Sequence, residues 1–199
     1  MRDGDLGEIL RQVPSLMHGF PALWCVAGGW AIDLFLGRVT RPHNDVELAI
    51  FRHDQGLLHR QFPDWEFRKV VAGHFAVWEA DEQLSLPIHE IHAHTDKAPP
   101  LAIEFLLNER FADDWAFRRD LRVRLPLEQA VRQGDGGLPI LNPAIVLLYK
   151  AKSRNTKDES DFQSVRAALE TDDRRWLRAA LETCNPGHHW LPLLDTTAS

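Results

Sequence analysis

Apolar positions in the first third of the chain switch between helical and strand periods. Leu6, Ile9, Leu10, Val13 and Leu16 recur at the spacing of one helical face, so an amphipathic helix is expected over 6–17. The apolar run Trp24 to Ala27 reads as a short strand, Gly28 and Gly29 as a turn, and Trp30 to Leu36 as a helix. A polar connection over 38–44 leads to a second strand in which Asp45 and Glu47 stand two residues apart. Side chains alternate along a strand, which points both carboxylates the same way.

Further on, Asp54 is expected to cap a helix reaching about Arg60, broken by Pro63-Asp64. Strands are expected over 65–71 and 76–80 around Gly73, over 86–94, and over 101–107, with a loop at 95–100. A hairpin is expected from Trp115 to Leu125. The run Gln133-Gly-Asp-Gly-Gly-Leu-Pro marks a crossing into helices at 143–150, 157–169 and 172–181; Asn185-Pro-Gly stops the last, with Trp190 docking on it. Strands interleaved with helices, then helices alone, imply an α+β first domain over 1–137 and a small helical C-terminal domain over 138–199.

With 44% hydrophobic and 26% charged residues the 199-residue chain has the make-up of an ordinary globular protein. A net charge of −6 argues against a general nucleic-acid coat and suits a cationic partner. No apolar window approaches a membrane span or a signal peptide, and the two cysteines, Cys25 and Cys184, imply reduced thiols in a cytoplasm.

Two carboxylates held side by side repel, and a divalent cation relieves them; magnesium takes hard oxygen ligands and shares its coordination with phosphates. The turn at Gly28 and Gly29 opens a helix whose free N–H groups form an anion site. Glu104, between Ile103 and Phe105 in an apolar strand, needs a partner, either an arginine or a shared metal. Among His89, Glu90, His92 and His94, His92 and His94 share a face. No cysteine or second His pair completes a zinc set, so this reads as a strand beside an acceptor cleft. Arg118, Arg119, Arg122 and Arg124 form either a solvated edge or a holder for triphosphate. Arg41 is a loop charge, a partner for Asp33 or a phosphate contact; His43 orients its loop. Lys157, Asp158 and Asp161 read as helix capping and i to i+4 pairing. Trp30 suits the core, and Trp78 either the core or a stacking role.

Gly28-Gly29-Trp30 followed by Arg41-x-His43-x-Asp45-x-Glu47 resembles the nucleotidyltransferases of the DNA polymerase beta superfamily. Within it, the chain is most similar to the small single-chain type typified by aminoglycoside 2''-adenylyltransferases and lincosamide nucleotidyltransferases. The strand bearing Glu104, the segment Leu138 to Lys150 and the later Lys157 to Asp161 extend that likeness. Two positions depart from the common pattern: Gly29 replaces a serine, and Glu47 replaces the second aspartate. The resemblance implies a nucleotidyltransferase-type mixed sheet flanked by helices. It also implies a magnesium-dependent enzyme that moves AMP from ATP onto a hydroxyl of a small, aminoglycoside- or lincosamide-like acceptor, an antibiotic-resistance-like activity. Asp45, Glu47 and Glu104 would hold metal, with Glu104 either a third ligand or the base; Gly28, Gly29, Arg41 and Lys150 would contact the nucleotide. The rival readings are a nucleotide- or partner-binding module on the same fold without turnover, and a transferase acting on protein or tRNA.

Overall fold

The computed structural model describes residues 3–97 and 101–195. Ten strands form one mixed sheet: β1 (Trp24–Val26), β2 (Glu47–Phe51), β3 (Glu66–Val71), β4 (His74–Val77), β5 (Glu90–Thr95), β6 (Leu101–Phe111), β7 (Asp114–Ala116), β8 (Arg124–Pro126), β9 (Val131–Gln133) and β10 (Pro139–Leu141). The spatial order is β4-β3-β5-β6-β2-β1-β10-β9, with β7 and β8 continuing from the far end of β6. Among the described residues β1/β10 and β2/β6 run parallel and the other pairs are antiparallel. Strand β2 is buried from Leu48 to Phe51, as a central strand covered on both faces must be. On β5 the alternation is strict: Ile91, Ala93 and Thr95 face the core, and Glu90, His92 and His94 face outward.

Among the described residues eight helices accompany this sheet: α1 (Asp3–Leu16), α2 (Gly28–Leu36), α3 (Leu57–Gln61), α4 (Leu127–Ala130), α5 (Pro143–Lys150), α6 (Thr156–Val165), α7 (Thr171–Cys184) and α8 (Leu191–Asp195). In α1, Leu10 and Val13 are buried, while the side chains of Leu6 and Ile9 lie outside the described residues. Helix α5 starts as its sequence dictates: Pro143 at the first position and Asn142 as cap, its side-chain oxygen accepting from Ala144 N at 2.8 Å. The α+β class is as expected. Several boundaries differ.

Asp54 closes a 3-10 turn over Arg52–Asp54, and the following helix begins only at Leu57, because no side chain caps the residues between. The β3–β4 turn needs just Ala72 (φ 50°) and Gly73 (φ 82°), so β4 starts two residues earlier than expected. Residues 139–141, expected within the helical half, instead form the strand that pairs with β1 through Val26 and Ile140. Thr95 belongs to β5, and part of the expected 95–100 loop lies outside the described residues. Trp190 is fully buried and stacks on Phe162 of α6, at 4.2 Å and 4°.

Two cations tie α6 to the 38–44 loop and to α5. Asp161 on α6, 1% exposed, accepts from Arg41 Nε at 2.8 Å and from Nη2 at 2.9 Å, a two-pronged pair across 120 residues of sequence. Its Oδ2 also lies 2.8 Å from Lys150 Nζ, and Asp158 Oδ1 lies 3.1 Å from the same nitrogen. Asp158 and Asp161 therefore reach other elements, and the expected i to i+4 pairing along their own helix is replaced. A helix places i and i+3 on one face, and here the face bearing Asp158 and Asp161 meets α5 and the 38–44 loop. Similarly, Arg41 pairs with Asp161 instead of Asp33, whose two oxygens are taken by Thr40 and His43.

Removing one partner of a buried ion pair strands the others. Asp161→Asn is expected to lower the unfolding free energy by about 3 kcal/mol in urea denaturation; a loss below about 1 kcal/mol would show that the triad does not hold the halves together.

Candidate active site

The site forms where β1 runs out. Val26 is the last β1 residue, paired with Leu48; the chain then turns at Gly28 into α2, leaving β2 without a β1 partner beyond Glu47. For this reason β2 begins at Glu47, and Asp45, expected on the strand, sits on the incoming loop, exposed. On the other side, β2 and β6 run parallel with Glu47 opposite Glu104, and Glu104 N donates to Val46 O at 3.0 Å. Strand β5 in turn sets His92 opposite Glu104. Asp45, Glu47 and Glu104 are thus brought to one edge, joined by Glu90 and His92.

Electrostatics register that crowding. Burial pushes the Glu47 carboxyl up to about 7, with Asp45 and Glu104 adding to it and Lys150 opposing. Burial likewise raises Glu104 to about 7, with Asp45 and Glu90 contributing. His92 bridges the second half of the cluster, its Nε2 2.6 Å from Glu90 Oε1 and its Nδ1 3.5 Å from Glu104 Oε1. Glu90, His92 and Glu104 present ligand atoms within 4.8 Å of one another, a group able to hold a metal ion. His94 shares their face but lies toward Glu66, at 3.6 Å.

The two glycines are required by what lies on them. Gly28 has φ 58°, and a Cβ there would sit 1.4 Å from Glu47 Oε2. At Gly29 a Cβ would meet His43 Nδ1 at 2.3 Å and Arg41 Nη2 at 2.8 Å. The helix start is therefore pressed against Glu47 and the 38–44 loop. No side chain caps α2, which leaves its first N–H groups open to an anion. Asp33 pins the loop: Oδ1 accepts from Thr40 N at 3.0 Å and Oγ1 at 2.6 Å, and Oδ2 meets His43 Nε2 at 2.6 Å. His43, buried against Trp30, thus orients the loop.

A cleft of about 280 Å³ opens beside Gly28 and Glu47, lined also by Glu90, Arg118, Arg119, Tyr149 and Lys150. Arg118 and Arg119 lie over the Tyr149 ring at 5.4 Å, and Arg119 Nη1 donates to Tyr149 O at 2.9 Å. Among the described residues neither arginine forms an ion pair, and burial lowers the pKa of both. Arg122 and Arg124 turn elsewhere, to Asp120 at 2.6 Å and over the Phe111 ring at 4.4 Å. Trp30 and Trp78 are both core residues; Trp78, 2% exposed, donates from Nε1 to Glu82 O. Glu90, His92 and Tyr149 were absent from the expected site. The Glu90-x-His92-x-His94 alternation showed a shared face, but only the β5–β6 register reveals that the face meets Glu104.

Residues 9–82 match the family model of aminoglycoside-2''-adenylyltransferase, a stretch that ends before Glu104. The fold is similar to the solution structure of the antibiotic-resistance factor ANT(2'')-Ia, with TM-score 0.60 and 16% identity over 92% of this chain and 94% of that one. The crystal structure of ANT(2'')-Ia in complex with adenylyl-2''-tobramycin gives TM-score 0.57 and 16% identity, over 88% and 96%. The lincomycin-bound lincosamide antibiotic adenylyltransferase LnuA gives TM-score 0.56 and 12% identity, over 81% and 97%. No curated protein matches the chain. Its fold is that of these nucleotidyltransferases, and its first part carries the resemblance to aminoglycoside 2''-adenylyltransferases that the Gly28-to-Glu47 motif implied.

Proposed function

We propose that this protein is a cytoplasmic enzyme that transfers a nucleoside monophosphate, AMP from ATP, onto a hydroxyl of a small-molecule acceptor of the aminoglycoside or lincosamide kind. The observation that carries this reading is the register of Glu47 on Glu104, with Asp45 beside them and the uncapped start of α2 against Glu47. Residues 1–137 would supply the catalytic edge and residues 138–199 the closing helices, with Lys150.

The donor set fits a divalent cation such as Mg2+: three carboxylates, two of them held near neutral pKa by burial and mutual repulsion. Asp45 and Glu47 would hold it, with Glu104 either a third ligand or the base. When bound, it supplies charge neutralisation on the phosphates and the geometry of in-line displacement. The chain's own groups account for the rest. The first N–H groups of α2 at Gly28 and Gly29, with Arg118, Arg119 and Lys150, would receive the triphosphate in the cleft. Arg41, tied to Asp161, would keep the 38–44 loop and hence Asp45 in place. The acceptor oxygen would form its bond to the α-phosphorus as the bond to the bridging oxygen breaks, pyrophosphate would leave, and the hydroxyl proton would pass to a base, the role open to Glu104 where it is not the third ligand.

Asp45→Asn is expected to reduce pyrophosphate release by about a thousandfold with the far-UV circular dichroism unchanged. Turnover at the wild-type rate would remove Asp45 from the catalytic set. Lys150→Met is expected to raise the KM for ATP by roughly tenfold, measured in the same assay.

Stability gives a second check. Glu47 and Glu104 bind protons more tightly folded than unfolded, so between about pH 4.5 and 7 the native state holds the extra protons. Their contribution to stability is therefore lost as pH rises through that window. In EDTA, wild type is expected to lose on the order of 2 kcal/mol relative to Glu47→Gln between pH 5 and 8; millimolar Mg2+ at pH 8 should return it to wild type only. An equal pH response in both proteins would contradict the shared-charge reading.

A further inference from the structure

The two outer edges of the sheet are defended unequally. At one end β9 carries Arg132 at its centre, tied to Glu170 at 3.1 Å and to Asp173 of α7 at 2.9 Å, so a charge and a helix guard that edge. At the other end lies β4, His74-Phe75-Ala76-Val77, which has no proline, lysine, arginine or acid and is exposed along its whole length. Phe75 is 59% exposed and Val77 55%, on the same face of the strand. Val70 of β3, half-buried, pairs with Phe75 and carries the apolar stripe one strand inward. Large apolar side chains gathered at an open strand edge mark a surface that pairs.

One hydrogen bond fixes the phase of this edge. Trp78 N donates to Phe67 O at 3.0 Å, and backbone groups alternate sides along a strand, so Trp78 and Ala76 turn theirs toward β3. Phe75 and Val77 therefore turn N–H and C=O to the free edge. The two residues with exposed apolar side chains are the same two with open backbone groups. The nearest cations are already paired within the chain, Arg68 with Glu66 at 2.5 Å and Lys69 with Glu82. A copy of this edge would meet it without opposing free charges.

We infer that the β4 edge is a self-association surface, on which a second copy of this chain adds its own β4 antiparallel about a two-fold axis at Ala76. In that register Phe75 exchanges both backbone hydrogen bonds with the partner subunit's Val77, and Val77 does the same with the partner subunit's Phe75. Each exchange also sets an aromatic ring against a β-branched side chain, a favourable cross-strand pair. Ala76, small and exposed, lies on the axis, and Glu79 just past the strand falls opposite a glycine, Gly73. A foreign strand could take the same backbone bonds; pairing β4 with itself matches aromatic to β-branched on both sides of the axis and closes the edge in both copies. Four residues of edge bury far less than the roughly 1,600 Å² of a standard interface, so the dimer is expected to dissociate on the order of tens of micromolar.

The test is sedimentation equilibrium of the full-length chain from low to high micromolar concentration, read with a disulfide trap. Wild type is expected to pass from monomer to dimer and to form nothing larger, because two-fold pairing consumes the edge. Val77→Lys, an exposed substitution checked by circular dichroism, should weaken the dimer by more than about tenfold. The trap reports the register. On the proposed axis the two Ala76 residues form a non-hydrogen-bonded pair with Cα atoms about 4.5 Å apart, inside the roughly 4.4–6.8 Å reach of a disulfide. With Cys184→Ser as background, Ala76→Cys should give a covalent dimer under glutathione oxidation, and Val77→Cys, whose counterpart lies two residues further along the partner strand, should not. The proposal is overturned if wild type stays monomeric at every concentration, which would leave the edge to a strand of another protein. It is equally overturned if Val77→Lys dimerises as wild type does, if species beyond the dimer accumulate, or if Val77→Cys cross-links as readily as Ala76→Cys.

Discussion

Repulsion between carboxylates that the sheet does not allow to separate is the constraint on which this structure turns. Parallel pairing of β2 with β6 sets Glu47 opposite Glu104, and the loop before β2 delivers Asp45 to the same edge. The Glu47 carboxylate lies against Gly28, where a Cβ would come within 1.4 Å of its Oε2. A charge held in this way against its own kind is a standing affinity for a cation or a proton. Most of the surrounding architecture serves to keep it there.

That service is visible in how the polar groups are spent. Asp33 spends both oxygens on the 38–44 loop, which fixes the approach of Asp45. Asp161 ties that loop to α6 through Arg41 and holds Lys150 at the rim of the cleft. The helical half and the acidic edge are thus parts of one electrostatic unit. Acids on α6 pair with Arg41 and Lys150, while among the described residues Arg118 and Arg119, which line the same cleft as Lys150, form no ion pair.

Local pattern in the chain carried much of this. The glycine pair, the Asp45-x-Glu47 spacing, Pro143 at a helix start and the α+β order could all be read along the sequence, since each depends on neighbours within a few residues. What could not be read was pairing at a distance. Asp158 and Asp161 look like ordinary helix charges until α6 lies against Arg41 and Lys150, and Glu90-x-His92 is only an alternating strand until its register with Glu104 is known. Strand Pro139–Leu141 was hidden for the same reason: three residues have no period, and their pairing with Val26 depends on a chain segment more than a hundred residues away. The stack of Trp190 on Phe162 of α6 is likewise a pairing at a distance that the local sequence does not signal.

The most direct measurement is anomalous diffraction from crystals soaked with Mn2+ and a non-hydrolysable ATP analogue. The expected result is a peak within coordinating distance of Asp45, Glu47 and Glu104, with the triphosphate running toward Gly28 and Lys150. Nucleotide bound with no metal at that edge, or metal held only by Glu90 and His92, would contradict it.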